Sequence, residues 1–184
     1  MADPGIVDPE ALLRFWFDDE ARPRWFDSTP EFDERLRDRF LTTWEAARDG
    51  ALDLWAETPR GALALVILLD QLPLNMFRAS PRGFETEAAS RAIADRAIER
   101  GLDGELDDTE KGFLYMPFMH SESLADQERC VQLFRDAGLE TRWAEHHHAI
   151  VARFGRFPHR NAILGRESTA EEATWLASDD AFTG

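Results

Sequence analysis

Thr58-Pro59-Arg60-Gly61-Ala62-Leu63-Ala64-Leu65-Val66-Ile67-Leu68-Leu69-Asp70-Gln71-Leu72-Pro73 decides the fold. Threonine before proline marks a helix start. The hydroxyl can cap an N–H of the first turn, and proline suits the first helical position because no N–H is needed there. From Ala62 to Leu69 every side chain is apolar. A strand over 62–69 is the alternative, but alanine and leucine outnumber β-branched residues there, which favours helix. A helix that is apolar on nearly every side belongs in the middle of a fold. The run is far short of the roughly 20 residues that span a bilayer. Pro73 is expected to stop the helix at about Leu72.

The same start signal recurs outward along the chain. Asp8-Pro9 opens a short helix carrying Leu12, Leu13, Phe15, Trp16 and Phe17. Thr29-Pro30 opens a longer one in which Phe32, Leu36, Phe40 and Trp44 recur every four residues, an amphipathic pattern that Gly50 ends. Pro23 and Pro30 bracket a loop whose Trp25 and Phe26 are expected to pin it to the core. Residues 73–84 read as a loop with a short turn, and Thr86 to Arg100 as a helix stopped by Gly101. Asp107-Asp108-Thr109 caps a helix rich in aromatic bulk that Pro117 is expected to break. Ser121 or Ser123 starts another, which ends at Gly138, and the next runs from about Glu140 to Phe154. Thr169 to Glu172 spells a capping box for the last, anchored by Trp175 and Leu176. No segment alternates as a strand does. The expectation is an all-α fold of about eight helices packed as antiparallel pairs, in one domain over residues 1–184.

Composition narrows the function. The formal net charge is −15, which disfavours nucleic acid and anionic membranes as partners because both need a basic face. Lys111 is the lone lysine among 21 basic residues. Arginine suits carboxylate and phosphate recognition, though a GC-rich genome gives the same bias. Cys130 stands alone, so neither a disulfide framework nor a cysteine metal cluster is expected. Met-Ala-Asp-Pro-Gly at the start has no charged and apolar leader pattern, which points to the cytoplasm. The chain contains no phosphate-loop, dinucleotide or nucleophile-elbow motif, so no cofactor is expected.

Three fragments resemble one family. They are Leu-Asp-Gln-Leu-Pro (69–73) with Asn75, Phe77 and Arg78; Tyr-Met-Pro-Phe-Met-His-Ser-Glu (115–122) with Asp126-Gln127-Glu128; and Arg-Phe-Gly-Arg-Phe-Pro-His-Arg-Asn (153–161) with Leu164-Gly165-Arg166. Together with Phe15-Trp16-Phe17 and Trp25-Phe26 they resemble an uncharacterised bacterial family, a domain of unknown function, over nearly the whole length. The resemblance implies a helical fold similar to tetratricopeptide-type helix pairs, a cytoplasmic protein and no established activity. The family pattern has arginine where this chain has Leu74, so an anion site that used it would be weakened here.

Four constellations could carry chemistry. The first is a basic island in an acidic chain: from His147 to Arg166 there are four arginines, three histidines and no acid. Arg153, Arg156, Arg160 and Arg166, with His159 and Asn161, could clamp a small carboxylate or phosphate ligand or an acidic peptide. The structural alternative is that these arginines pair with the chain's own acids, such as Asp70 or Glu122, and cap helix carbonyls. The second is His120-Ser121-Glu122, which suits an acid–base pair or, equally, a helix N-cap. The third is His147, which shares a helix face with Val151 and Phe154 and could join His120 and Glu122 in a hydrolytic site, with or without a metal; a satisfied core histidine is the plainer reading. The fourth is Asp70-Gln71 at the end of the most apolar helix, which with Asn75 and Arg78 also counts among the candidate ligand-binding residues. Asp70 would form a latch with Arg156 or Arg160, or act as a general base. Cys130 reads as core.

Overall fold

Proline and a capping oxygen open the helices where the sequence places them. In the computed structural model, which describes residues 5–178 and Ala181, Asp8 accepts from the Ala11 N–H ahead of α1 (Pro9–Trp16). Thr29 accepts from Phe32 ahead of α2 (Pro30–Arg48), and Thr58 from Gly61 ahead of α3 (Pro59–Val66). Gly61 is required at that turn, because a Cβ there would lie 2.0 Å from the Trp55 carbonyl oxygen. The remaining helices are α4 (Leu72–Met76), α5 (Glu87–Glu99), α6 (Asp108–Met119), α7 (Leu124–Asp136), α8 (Arg142–Phe154) and α9 (Ala170–Leu176). Among the described residues no strand occurs, so the fold is all-α. Met1 to Pro4, on which the absence of a leader was read, lie outside the described residues.

The described residues group into two compact units: those up to Arg78 with Arg82–Pro117, and Ala79–Pro81 with those from Phe118 on. In the first, α3 is the centre. Gly61 to Val66 are all buried, and α1 and α5 pack against the helix. Leu12, Leu13 and Trp16 of α1 and Leu36, Phe40 and Trp44 of α2 complete the core. In the second, α7 and α8 pack together across the short joint 137–141. Ile150, Val151, Phe157 and Trp175 form its buried apolar cluster, with Phe154 and Leu176 at the edge.

Two prolines behave differently from expectation. Pro73 does not stop the central helix. Ile67–Gln71 widens into a π turn, in which the Leu72 N–H bonds to the Ile67 carbonyl, and the helix continues as α4 to Met76. A proline at 73 cannot donate to the Leu69 carbonyl four residues back. The Thr86 hydroxyl donates to that carbonyl instead, at 2.6 Å, and itself accepts from Trp44 Nε1 at 3.3 Å. Thr86→Val removes this relay without changing the side-chain shape and strands two buried polar groups. It is expected to cost about 1–3 kcal/mol, seen as a lower urea midpoint with an unchanged slope. Pro117 likewise sits inside α6, which runs on to Met119. The loop aromatics divide: Trp25 donates its Nε1–H to the Trp16 carbonyl at 2.8 Å, whereas Phe26 is 76% exposed and is not pinned.

Candidate functional site

The second unit gathers most of the residues singled out from sequence. Helix α8 ends at Gly155, whose φ of 70° lets the chain reverse. The reversal drives Phe157 into the core and turns Pro158–Arg160 back as a short 3₁₀ turn. Phe157 is the hub. Its ring lies edge-on to His147 at 5.7 Å and tilted against His159 at 5.6 Å, and the Arg160 guanidinium sits 4.7 Å over it. His120 and His147 are 6.4 Å apart, centroid to centroid. So the sequence fragments around 120, 147 and 157 do converge.

Glu122 closes this cluster. Its Oε1 accepts from the Phe157 N–H at 2.8 Å, and Arg166 grips both oxygens at 2.7 and 2.9 Å. Burial, the largest single influence, pushes the Glu122 carboxyl up. The Arg166 fork, the Phe157 N–H and the charges of Arg166 and Arg160 together outweigh it and hold the group below its ordinary value. Ser123, rather than Ser121, caps α7, and the Ser121 hydroxyl donates to Asp126 at 2.6 Å. The amide nitrogen of Gln127 donates to the Met119 and Ser121 carbonyls at 2.6 Å each, satisfying the carbonyl end of α6.

His147 is a core histidine. Its Nδ1 lies 2.8 Å from the Trp143 carbonyl, which can only accept, so Nδ1 carries the proton. Burial, with the neighbouring His120 charge next, pushes its pKa down to about 3. Burial and then the Arg160 charge push His159 down to about 4. Both imidazoles are therefore neutral at pH 7. Among the described residues no three His, Cys, Asp or Glu side chains are arranged to hold a metal ion.

Three of the island's four arginines, Arg153, Arg156 and Arg166, turn to acids. Arg156 donates Nε and Nη2 to the two oxygens of Glu172 at 2.6 and 2.8 Å, and Nη2 also reaches the Glu167 carbonyl. Of the two arginines offered to Asp70 from sequence, Arg156 is thus committed to Glu172. The same carboxylate accepts from the Thr169 N–H at 2.7 Å, completing the α9 capping box, and from Asn161 Nδ2 at 3.3 Å. The Arg156 hydrogen bond, the largest influence, lowers the Glu172 pKa to about 2 against its burial. Arg153 pairs with Glu171 in the open, and Arg160 is buried. The acids Glu171 and Glu172 were missed as partners; the signal for them was the capping box itself, which starts at Thr169, three residues beyond the island.

The other four residues lie in the first unit. Asp70 and Gln71 belong to the π turn, are buried, and hydrogen-bond to each other. Asn75 and Arg78 sit at the end of α4. Arg78 donates to Asp33 Oδ2 at 2.8 Å and to Asn75 Oδ1 at 2.8 Å, and Asp33 also accepts from the Ser28 hydroxyl at 2.6 Å. Ser28, Asp33 and Arg78 line an open cleft of about 490 Å3 together with Thr29, Pro30, Glu34 and Arg37. Arg37 was not singled out from sequence. A second open cleft, of about 300 Å3, lies on the α7–α8 pair and is lined by Glu128, Val131, Gln132, Arg135, Glu145 and His148.

An all-α protein with its central helix carried through a π turn and an arginine-laced loop closing its second unit defines a structural class, not an activity. The chain belongs to the family of bacterial proteins of unknown function DUF924, whose model matches residues 12–180. It is similar to a solved protein of unknown function, ATU0120 from Agrobacterium tumefaciens, at 41% identity and a TM-score of 0.87, covering 92% of this chain and 96% of that one. No curated protein matches the chain.

Proposed function

We propose that this chain is a helical binding domain that holds a small anion or an acidic peptide, built from helix pairs of the tetratricopeptide kind and working in the cytoplasm. The observation that carries the reading is the cleft beside α2, where the Arg37 and Arg78 head groups line one concave surface. Half of the Arg78 side chain is exposed there. The island supports a different role for its own arginines. Arg156 and Arg166 grip internal carboxylates with two nitrogens each, so they act as latches that fix the loop after α8. Asn75 and Arg78, named from sequence as ligand residues, stay in the proposal; Arg37 joins them.

A hydrolytic reading on His120, Glu122 and His147 has one observation in its favour, the closeness of the two imidazoles. Against it, both Glu122 oxygens are already engaged, which makes that carboxylate an anchor rather than a base.

Melting curves with acetate, citrate and phosphate at fixed ionic strength test the binding reading. A ligand at ten times its Kd adds about 1.4 kcal/mol, or about 3–5 °C for a chain of this size. At least one of these anions is expected to give such a rise in the wild type and a smaller one in Arg78→Ala. Flat melting temperatures across the whole series would dispose of the binding reading.

A further inference from the structure

We propose that the cleft beside α2 takes a monocarboxylate and that Arg37 is the residue that receives it; this rests on the binding reading above. The Arg37 Nε and Nη2 converge on the Met76 carbonyl at 3.1 and 2.9 Å. Met76 is the last residue of α4, so that oxygen is one of the acceptors a helix end leaves unfilled. The contact fixes the guanidinium plane without an ion pair. Among the described residues Arg37 has no carboxylate partner, and its Nη1 has no acceptor. Arg78 differs: its charge is met by Asp33, whose side chain is 8% exposed.

Charge sets the ligand class. The four charged lining residues are Arg37, Arg78, Asp33 and Glu34, and their formal charges cancel. With Asp33 answered by Arg78, one cation and one rim acid remain. Such a cleft favours a single negative charge at Arg37, while a phosphate dianion would also face Asp33 and Glu34. A fixed guanidinium fork matches a planar carboxylate and binds it at little ordering cost. The N-terminus of α2 adds little, since the Phe32 N–H is taken by Thr29 and the Glu31 carboxylate bonds its own N–H.

The carboxylate can belong to a small free acid or to the end of a peptide, and one titration separates them. The full chain, labelled with 15N, is followed by its amide and arginine Nε–H resonances at pH 7 and constant ionic strength. The probes are acetate, N-acetyl-trialanine, the C-terminal amide of that peptide, and phosphate. The Arg37 Nε–H and the amides around Ser28 and Thr29 should move saturably with both carboxylates and stay still with the amide. A tripeptide that binds about tenfold tighter than acetate identifies a chain end as the source; equal affinity identifies a small acid. Arg37→Lys keeps the charge but loses the fork, and should weaken carboxylate binding about tenfold; Arg37→Gln should abolish it, with the rest of the amide spectrum unchanged. Tighter binding of phosphate, or carboxylate titrations unaltered in both variants, overturns the assignment and leaves the binding reading standing. No saturable shift with any probe removes the binding reading and the assignment with it.

Discussion

Glu172→Gln is expected to destabilise the second unit by about 2–3 kcal/mol, the largest effect of any single conservative change in the island's contacts. Glutamine keeps the shape of the side chain but deletes the charge facing Arg156. It also turns one acceptor into a donor that confronts Arg156 or the Thr169 N–H. Four donors now converge on this carboxylate, from Arg156 twice, Thr169 and Asn161. Breaking a fully buried pair by removing one partner costs about 3–5 kcal/mol. The smaller figure is used because the pair is only partly enclosed: the Glu172 side chain is 3% exposed, but Arg156 is 26% exposed and screened by water. Urea unfolding followed by tryptophan fluorescence measures the loss. Glu171→Gln is the control, since the Arg153–Glu171 pair is more than half exposed on both sides and should change stability by less than about 0.5 kcal/mol. The double variant Glu172→Gln with Arg156→Met should recover part of the loss, because the stranded guanidinium goes with the charge that held it. Equal losses from Glu171→Gln and Glu172→Gln would mean that the island is not a latch.

What was legible in the sequence is what local chemistry decides. The Asp8-Pro9, Thr29-Pro30 and Thr58-Pro59 starts each need only a hydroxyl or carboxylate and a ring within four residues, and each appears as read. The buried state of Cys130 and His147 followed from their place on apolar helix faces. Pro73 was misread because its lost N–H is compensated by Thr86, thirteen positions on, which no local rule reveals. Phe26 was misread because an aromatic residue in a loop need not reach the core: its neighbour Trp25 has an indole N–H and a carbonyl to meet, and Phe26 has neither. The island was recognised, and Glu122 was named among the acids its arginines could pair with, although it lies 44 residues from Arg166. Glu172 was not named, because it already had a local task as a helix cap. Arg37 escaped notice because a solvated arginine on an amphipathic helix looks the same in sequence as one folded back onto the end of another helix.

Acid should destabilise the second unit before its paired carboxylates are protonated. His147 and His159 have pKa values pushed down to about 3 and about 4, against 6.5 for an ordinary imidazole. A group whose pKa is lower folded than unfolded stabilises the protein fully above its unfolded pKa and loses that contribution as pH falls towards the folded value. The loss therefore begins near pH 6.5 and runs on below pH 5. Each imidazole held neutral gives up about 1.4 kcal/mol per pH unit in that window. From pH 6.5 to 4.5 the pair should cost about 4 kcal/mol, an upper figure because the two titrate in one cluster with His120. Glu122 and Glu172 are depressed too, but from 4.5, so their contribution stays in place throughout the same window. The imidazoles and the latches can thus be told apart by pH alone. His147→Asn keeps a donor for the Trp143 carbonyl and removes the titrating ring. It should flatten the fall in urea midpoint between pH 6.5 and 4.5 by about half, and make the further fall towards pH 3 shallower too, because the wild-type ring goes on losing its contribution down to its folded value. A wild-type midpoint that holds constant from pH 7 to 5 would show that both rings take up protons without cost, and that the packing of His147 and His159 against Phe157 does not hold them neutral.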